Sequence, residues 1–220
     1  MSTSNTRLRF APAPPQIRPV TEPLAFMRRG ADAKSPFPDS LALSLQWTAT
    51  TVDQTVPVYA VPVTRCGPHS FCCVELTPGN EPAELRLCFS GVLRLASVQP
   101  GSDALRWHRK GNELICLLTG PCTFTVEPNG RMYAPLTVFV SSPCPTPPSP
   151  DDPNVLWFSP GLHQVSSLEL RSGQTVWLEP GAILKAQPPE ESEPGRKAQL
   201  SRLHPRRGLR RHPDTGPWDP

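Results

Sequence analysis

Apolar and polar residues alternate in short runs from Leu41 onward. The runs are LALSLQWTAT, VPVYAVPVT, FCCVELT, ELRLCFS, VLRLASVQP, ELICLLTG, CTFTVEP and LTVFVSS. Leu85, Leu87 and Phe89 are interleaved with Arg86 and Cys88, and Phe124 and Val126 with Thr123, Thr125 and Glu127. Successive side chains of a strand point to opposite faces, so this period of two predicts strands with one dry and one wet face. Turn-forming groups separate the runs at Pro78-Gly79-Asn80, Pro100-Gly101-Ser102, Lys110-Gly111-Asn112 and Pro128-Asn129-Gly130. Runs of this length and spacing predict an all-β fold, with an antiparallel β-sandwich of roughly eight strands over residues 41–141.

The pattern changes on either side of that region. Residues 1–40 are rich in proline and basic groups, hold no sustained period, and read as a disordered leader. Residues 142–153, SPCPTPPSPDDP, form a proline-rich linker whose ring constraints favour extended chain. Residues 154–186 return to short apolar runs, Val155-Leu156-Trp157-Phe158, Leu168-Glu169-Leu170, Thr175-Val176-Trp177-Leu178 and Ala182-Ile183-Leu184. Pro160-Gly161, Ser172-Gly173 and Pro180-Gly181 punctuate them. Strands so short cannot bury a face alone, which suits one coil of a parallel β-helix that stacks on its neighbours. Residues 187–220 carry Arg, Pro and His with few aliphatics, and read as a disordered basic tail. The abrupt change of texture after Ala186 gives the expectation of a shifted reading frame, which a transcript sequenced through that codon tests.

The phrase FSPGLHQVSSLELRSGQTVWLEPGAILKA resembles the opening coil of the right-handed β-helix glycoside hydrolases, the polygalacturonase-like group that includes dextranase and isopullulanase. The shared wording is an aromatic, Pro-Gly, His, an apolar strand, Gly-Gln-Thr-Val-x-Leu, then a Gly-Ala pair and another apolar strand. Residues 56–140 resemble the N-terminal β-sandwich of the same enzymes. Val56-Pro57-Val58-Tyr59, Val98-Gln99-Pro100, Gly111-Asn112 and Pro121 through Glu127 before Asn129-Gly130 carry that likeness. The resemblance implies hydrolysis of O-glycosidic bonds in a polysaccharide, by aspartates several coils beyond the first. Such carboxylates stand roughly 6.5–9.5 Å apart in inverting enzymes. The chain is expected to be truncated before those coils, so no catalytic residue is carried over, and polysaccharide or oligosaccharide is the implied partner.

Composition narrows the remaining classes. There are 31 prolines among 220 residues, charged content is 19% and the net charge is +3. Ordinary domains carry about 25% charged residues, so part of the chain is expected to be unpacked. The charge is too mild to argue for nucleic acid, and no apolar run approaches the roughly 18 residues of a membrane span. The N-terminus has no apolar core of a secretory signal, although the resembling family is mostly extracellular. Cys66, Cys72, Cys73, Cys88, Cys116, Cys122 and Cys144 form an odd set without C-x-x-C spacing, which predicts mostly reduced structural thiols and no metal site. No cofactor motif is present.

Asp151 and Asp152 sit between prolines and read as a solvated hinge; His163 follows a Pro-Gly turn and reads as structural. Glu169 and Glu179 alternate with apolar residues and read as the wet face of a strand. Trp157 and Trp177 lie in apolar runs and read as core. Trp107, between Arg106 and His108, is the candidate platform for stacking a sugar ring, making a non-catalytic carbohydrate-binding module the alternative function. The basic cluster Arg206-Arg207-Gly208-Leu209-Arg210-Arg211-His212 lacks interleaved aromatics, so a nucleic-acid or partner-binding role for it ranks last.

Overall fold

A computed structural model describes residues 7–19, 41–61, 68–130, 134–143 and 146–186. The described residues are all-β, without helix, and divide into two compact units between Pro147 and Pro148.

The first unit begins with β1 (Leu8–Arg9), β2 (Ala42–Leu43), β3 (Trp47–Thr50), β4 (Thr55–Val56), β5 (Tyr59–Val61) and β6 (His69–Leu76). It continues with β7 (Ala83–Phe89), β8 (Ala96–Gln99), β9 (Leu105–Lys110), β10 (Glu113–Leu118), β11 (Cys122–Pro128) and β12 (Leu136–Ser141). One sheet has the order β2-β5-β6-β12-β11-β8, with β1 also pairing to β6; the other has the order β4-β3-β7-β10-β9. Their buried faces meet in one hydrophobic cluster that includes Trp47, Leu85, Leu87 and Leu114 from the second sheet and Cys72, Phe124, Val126, Leu136 and Val138 from the first. The alternation in the chain produces this arrangement directly. In β7 Leu85 and Leu87 are buried while Arg86 between them is exposed, and in β6 Cys72 is buried while Cys73 is exposed.

The second unit contains β13 (Val155–Phe158), β14 (Gly161–Val165), β15 (Thr175–Leu178) and β16 (Ala182–Ala186). β13 pairs with β15 and β14 with β16, both in parallel. Val155 aligns with Thr175, twenty residues on, and Gly161 with Ala182, twenty-one on. Trp157 meets Trp177 in register with ring centroids 6.0 Å apart.

Two expectations are corrected. The first unit is not wholly antiparallel, because β12 runs parallel to β6 from Leu136↔Ser70 to Ser141↔Glu75. Five strands intervene between them, enough chain for a crossover, and a period of two carries no information about strand direction. The leader is not irregular throughout: Arg9 aligns with Glu75 and Leu8 with Leu76 in β1, and Leu8 and Ile17 are buried. Arg7 anchors this segment, donating from Nε and Nη2 to the Thr77 carbonyl at 3.0 and 2.8 Å and from Nη1 to that of Glu81. Residues 154–186 hold two parallel two-stranded ladders, β13 with β15 and β14 with β16. Residues 1–6, 20–40 and 187–220, which include the basic cluster from Arg206 to His212, lie outside the described residues.

Candidate functional site

Trp107 lies on β9, the edge strand LRWHRK of the second sheet. Its Cα partner on β10 is the buried Cys116, while Leu105 and Arg109 face Leu118 and Leu114. Trp107 therefore belongs to the core-side row of the strand. Standing at the sheet edge, it remains 40% exposed. Arg106, His108 and Lys110 occupy the opposite, outer row, so the edge is cationic. Arg109 is committed elsewhere, donating from Nη1 to the carbonyls of Leu93 and Gly111 at 2.9 Å each.

No Asp or Glu among the described residues is buried. Asp152 accepts the Asn154 backbone N–H at 2.9 Å, and Asp151 beside it is exposed. Glu169 is exposed and Glu179 half-buried. His163 shares a 2.7 Å hydrogen bond between Nε2 and the Ser159 carbonyl, and its ring meets Phe158 edge-on at 5.3 Å. Among the described residues no group of three or more His, Cys, Asp or Glu is placed to hold a metal ion.

The aromatic assignments divide. Trp47 is buried and donates from Nε1 to the Ala134 carbonyl at 2.8 Å. Trp157 and Trp177 are half-buried, not core, because the second unit's strands cover each other only in pairs.

A second surface escaped the reading of the sequence. On the outer face of the first sheet Tyr59 aligns with Phe71, Phe71 with Thr137, Thr137 with Thr125, and Thr125 with Gln99, a row crossing five strands. The Tyr59 and Phe71 rings stack with centroids 5.4 Å apart at 28°. Phe139, two residues beyond Thr137 on the same face, is 43% exposed. His69 Nε2 and Thr137 Oγ1 share a hydrogen bond of 2.8 Å, and Thr137 Oγ1 and Thr125 Oγ1 one of 2.9 Å. Burial lowers the His69 pKa below its ordinary value and raises that of Tyr59, with the neighbouring Cys73 adding to the latter. The available signal was the alternate positions of FCCVELT and LTVFVSS, but pairing those strands requires the parallel β6–β12 register.

Comparison with models of protein families and with curated proteins finds no match.

Proposed function

We propose that the chain has the plan of the N-terminal part of a polysaccharide-degrading enzyme of the polygalacturonase-like kind. In this reading a β-sandwich precedes the first rungs of a right-handed parallel β-helix, and the chain holds polysaccharide without cleaving it. The observation that carries the reading is the pair of parallel ladders at a repeat of twenty to twenty-one residues. A hairpin sandwich would pair consecutive strands antiparallel; a solenoid pairs each strand with its counterpart one rung later. The strands concerned are those that resemble the enzymes' opening coil. β13 and β15 hold no fully buried residue, and Leu178 is 40% exposed, as expected of rungs that bury a face only by stacking.

The surroundings of the described carboxylates support the non-catalytic part of the reading. A glycosidase needs one carboxyl kept protonated by its surroundings and a second placed across the scissile bond. No carboxylate among the described residues is buried. Purified chain mixed with dextran, pullulan or polygalacturonate should release no reducing ends and should be retarded in a gel containing at least one of them. Turnover abolished by substituting one Asp or Glu of this chain would overturn the non-catalytic part. Failure to bind any polysaccharide would overturn the rest.

A further inference from the structure

We infer that the outer face of the first sheet is a binding site for an uncharged polysaccharide, which lies across the strands along the row from Tyr59 to Gln99. The inference rests on the polysaccharide-binding reading and names where and what the chain would bind.

Three properties of the face specify the occupant. First, its aromatic groups are adjacent and partly open. Tyr59 and Phe71 stack on one another, and Phe139 lies one strand over and one row along, 43% exposed. A single exposed ring is ordinary on a protein surface, but neighbouring rings on a flat face offer apolar area matched to the C–H faces of sugars.

Second, the row continues from rings into hydroxyls and an amide. A threonine hydroxyl has one donor and two acceptor positions. Thr137 uses two of its three on His69 and Thr125, and the Thr125–Thr137 bond takes one of Thr125's. Both oxygens keep capacity for a ligand hydroxyl, and the exposed Gln99 extends the row at its far end. Five strands at about 4.8 Å spacing make the row roughly 19 Å long, enough for several sugar rings.

Third, the charge pattern selects a neutral polymer. Tyr59, Phe71, Thr137, Thr125 and Gln99 carry no charge, and burial disfavours the charged forms of both His69 and Tyr59. Of the outward carboxylates nearest the row, Glu75 on β6 aligns with Arg9, and Glu127 on β11 would repel a polyuronate. The cations of β9 belong to the other sheet.

Affinity electrophoresis of the full chain in gels containing dextran, pullulan or polygalacturonate tests the site. Wild type, Phe139→Ala, Thr125→Val and Trp107→Ala would be compared after circular dichroism shows each to be folded. The expected result is retardation by a neutral polymer, weakened about tenfold in Phe139→Ala and reduced in Thr125→Val. Phe139 is exposed enough that its truncation leaves the core intact. Binding unchanged in both Phe139→Ala and Thr125→Val overturns the site. If Trp107→Ala alone abolishes binding, or only polygalacturonate retards the chain, the site or its neutral occupant falls while polysaccharide binding stands. If no polymer retards wild type, both fall together.

Discussion

The Trp47 indole N–H donates to the Ala134 carbonyl at 2.8 Å, joining residues 87 positions apart inside the core of the first unit. Trp47 is 1% exposed and also meets Phe89 with ring centroids 5.0 Å apart. Ala134 has φ of 64°, a left-handed conformation that costs a residue bearing a Cβ about 1 kcal/mol. Trp47→Phe should destabilise the unit by ~3 kcal/mol, through the smaller ring and the unpaired carbonyl. Ala134→Gly should stabilise it by up to about 1 kcal/mol. Urea denaturation of the two variants checks both signs.

Asn129 fixes the loop that precedes β8. Its Oδ1 accepts the backbone N–H groups of Arg94 and Leu95 at 2.7 and 3.2 Å, and its Nδ2 donates to the Val92 carbonyl at 2.8 Å. Its own φ is 58°. Asn129→Gly keeps the conformation and loses the three bonds, at about 2 kcal/mol. Asn129→Ala loses the bonds and adds strain, so it should be worse by about 1 kcal/mol, read from the same denaturation curves.

His69 predicts a pH dependence. Burial lowers its pKa from the ordinary 6.5, so the folded protein holds the proton less tightly than the unfolded chain. The stability tied to this group is fully present above pH 6.5 and is lost as pH falls from there through the lowered folded value. Denaturation midpoints should therefore drop between pH 7.5 and acid conditions, and His69→Gln should flatten that part of the profile. An equal slope in the variant would count against the assignment.

The thiols should react in a pattern set by strand geometry. Burial pushes Cys116 up to about 12 and Cys72 higher still, and both are inaccessible; burial also raises the Cys73 thiol, but that residue is exposed. Native alkylation followed by peptide mapping should modify Cys73 and spare Cys72 and Cys116 until the chain is unfolded.

The opposite fates of Cys72 and Cys73 were legible in the sequence, because adjacent strand residues must face opposite ways. The same holds for Leu85 and Leu87 against Arg86. Direction and partnership were not legible, since the alternation that places Val138 inward is the same whether β12 runs with or against β6. β1 was missed because two residues, Leu8 and Arg9, leave no measurable period. The parallel pairing of the second unit has a trace in the sequence. Phe158-Ser159-Pro160-Gly161 returns twenty residues later as Leu178-Glu179-Pro180-Gly181, and Trp157 returns as Trp177. The row from Tyr59 to Gln99 depends on four pairings at once, which local pattern cannot supply.

The register of the second unit can be tested through its tryptophans. Trp157 and Trp177 align in the parallel ladder, with rings 6.0 Å apart and tilted by 34°. In an antiparallel hairpin of the same two segments they would coincide only by a particular turn length, and the neighbouring pairs Val155↔Thr175 and Phe158↔Leu178 could not both persist. Trp157→Val and Trp177→Val keep β propensity while removing the ring contact. A double-mutant cycle should give a coupling of about 1 kcal/mol, read from hydrogen-exchange protection of the β13 and β15 amides. The coupling between Val155 and Thr175, measured in the same way, should be smaller but present, because both belong to one ladder. Coupling at the tryptophans with none at Val155 and Thr175, and with Val155 coupled instead to Glu179, would replace the parallel ladder by a hairpin and remove the β-helix reading with it.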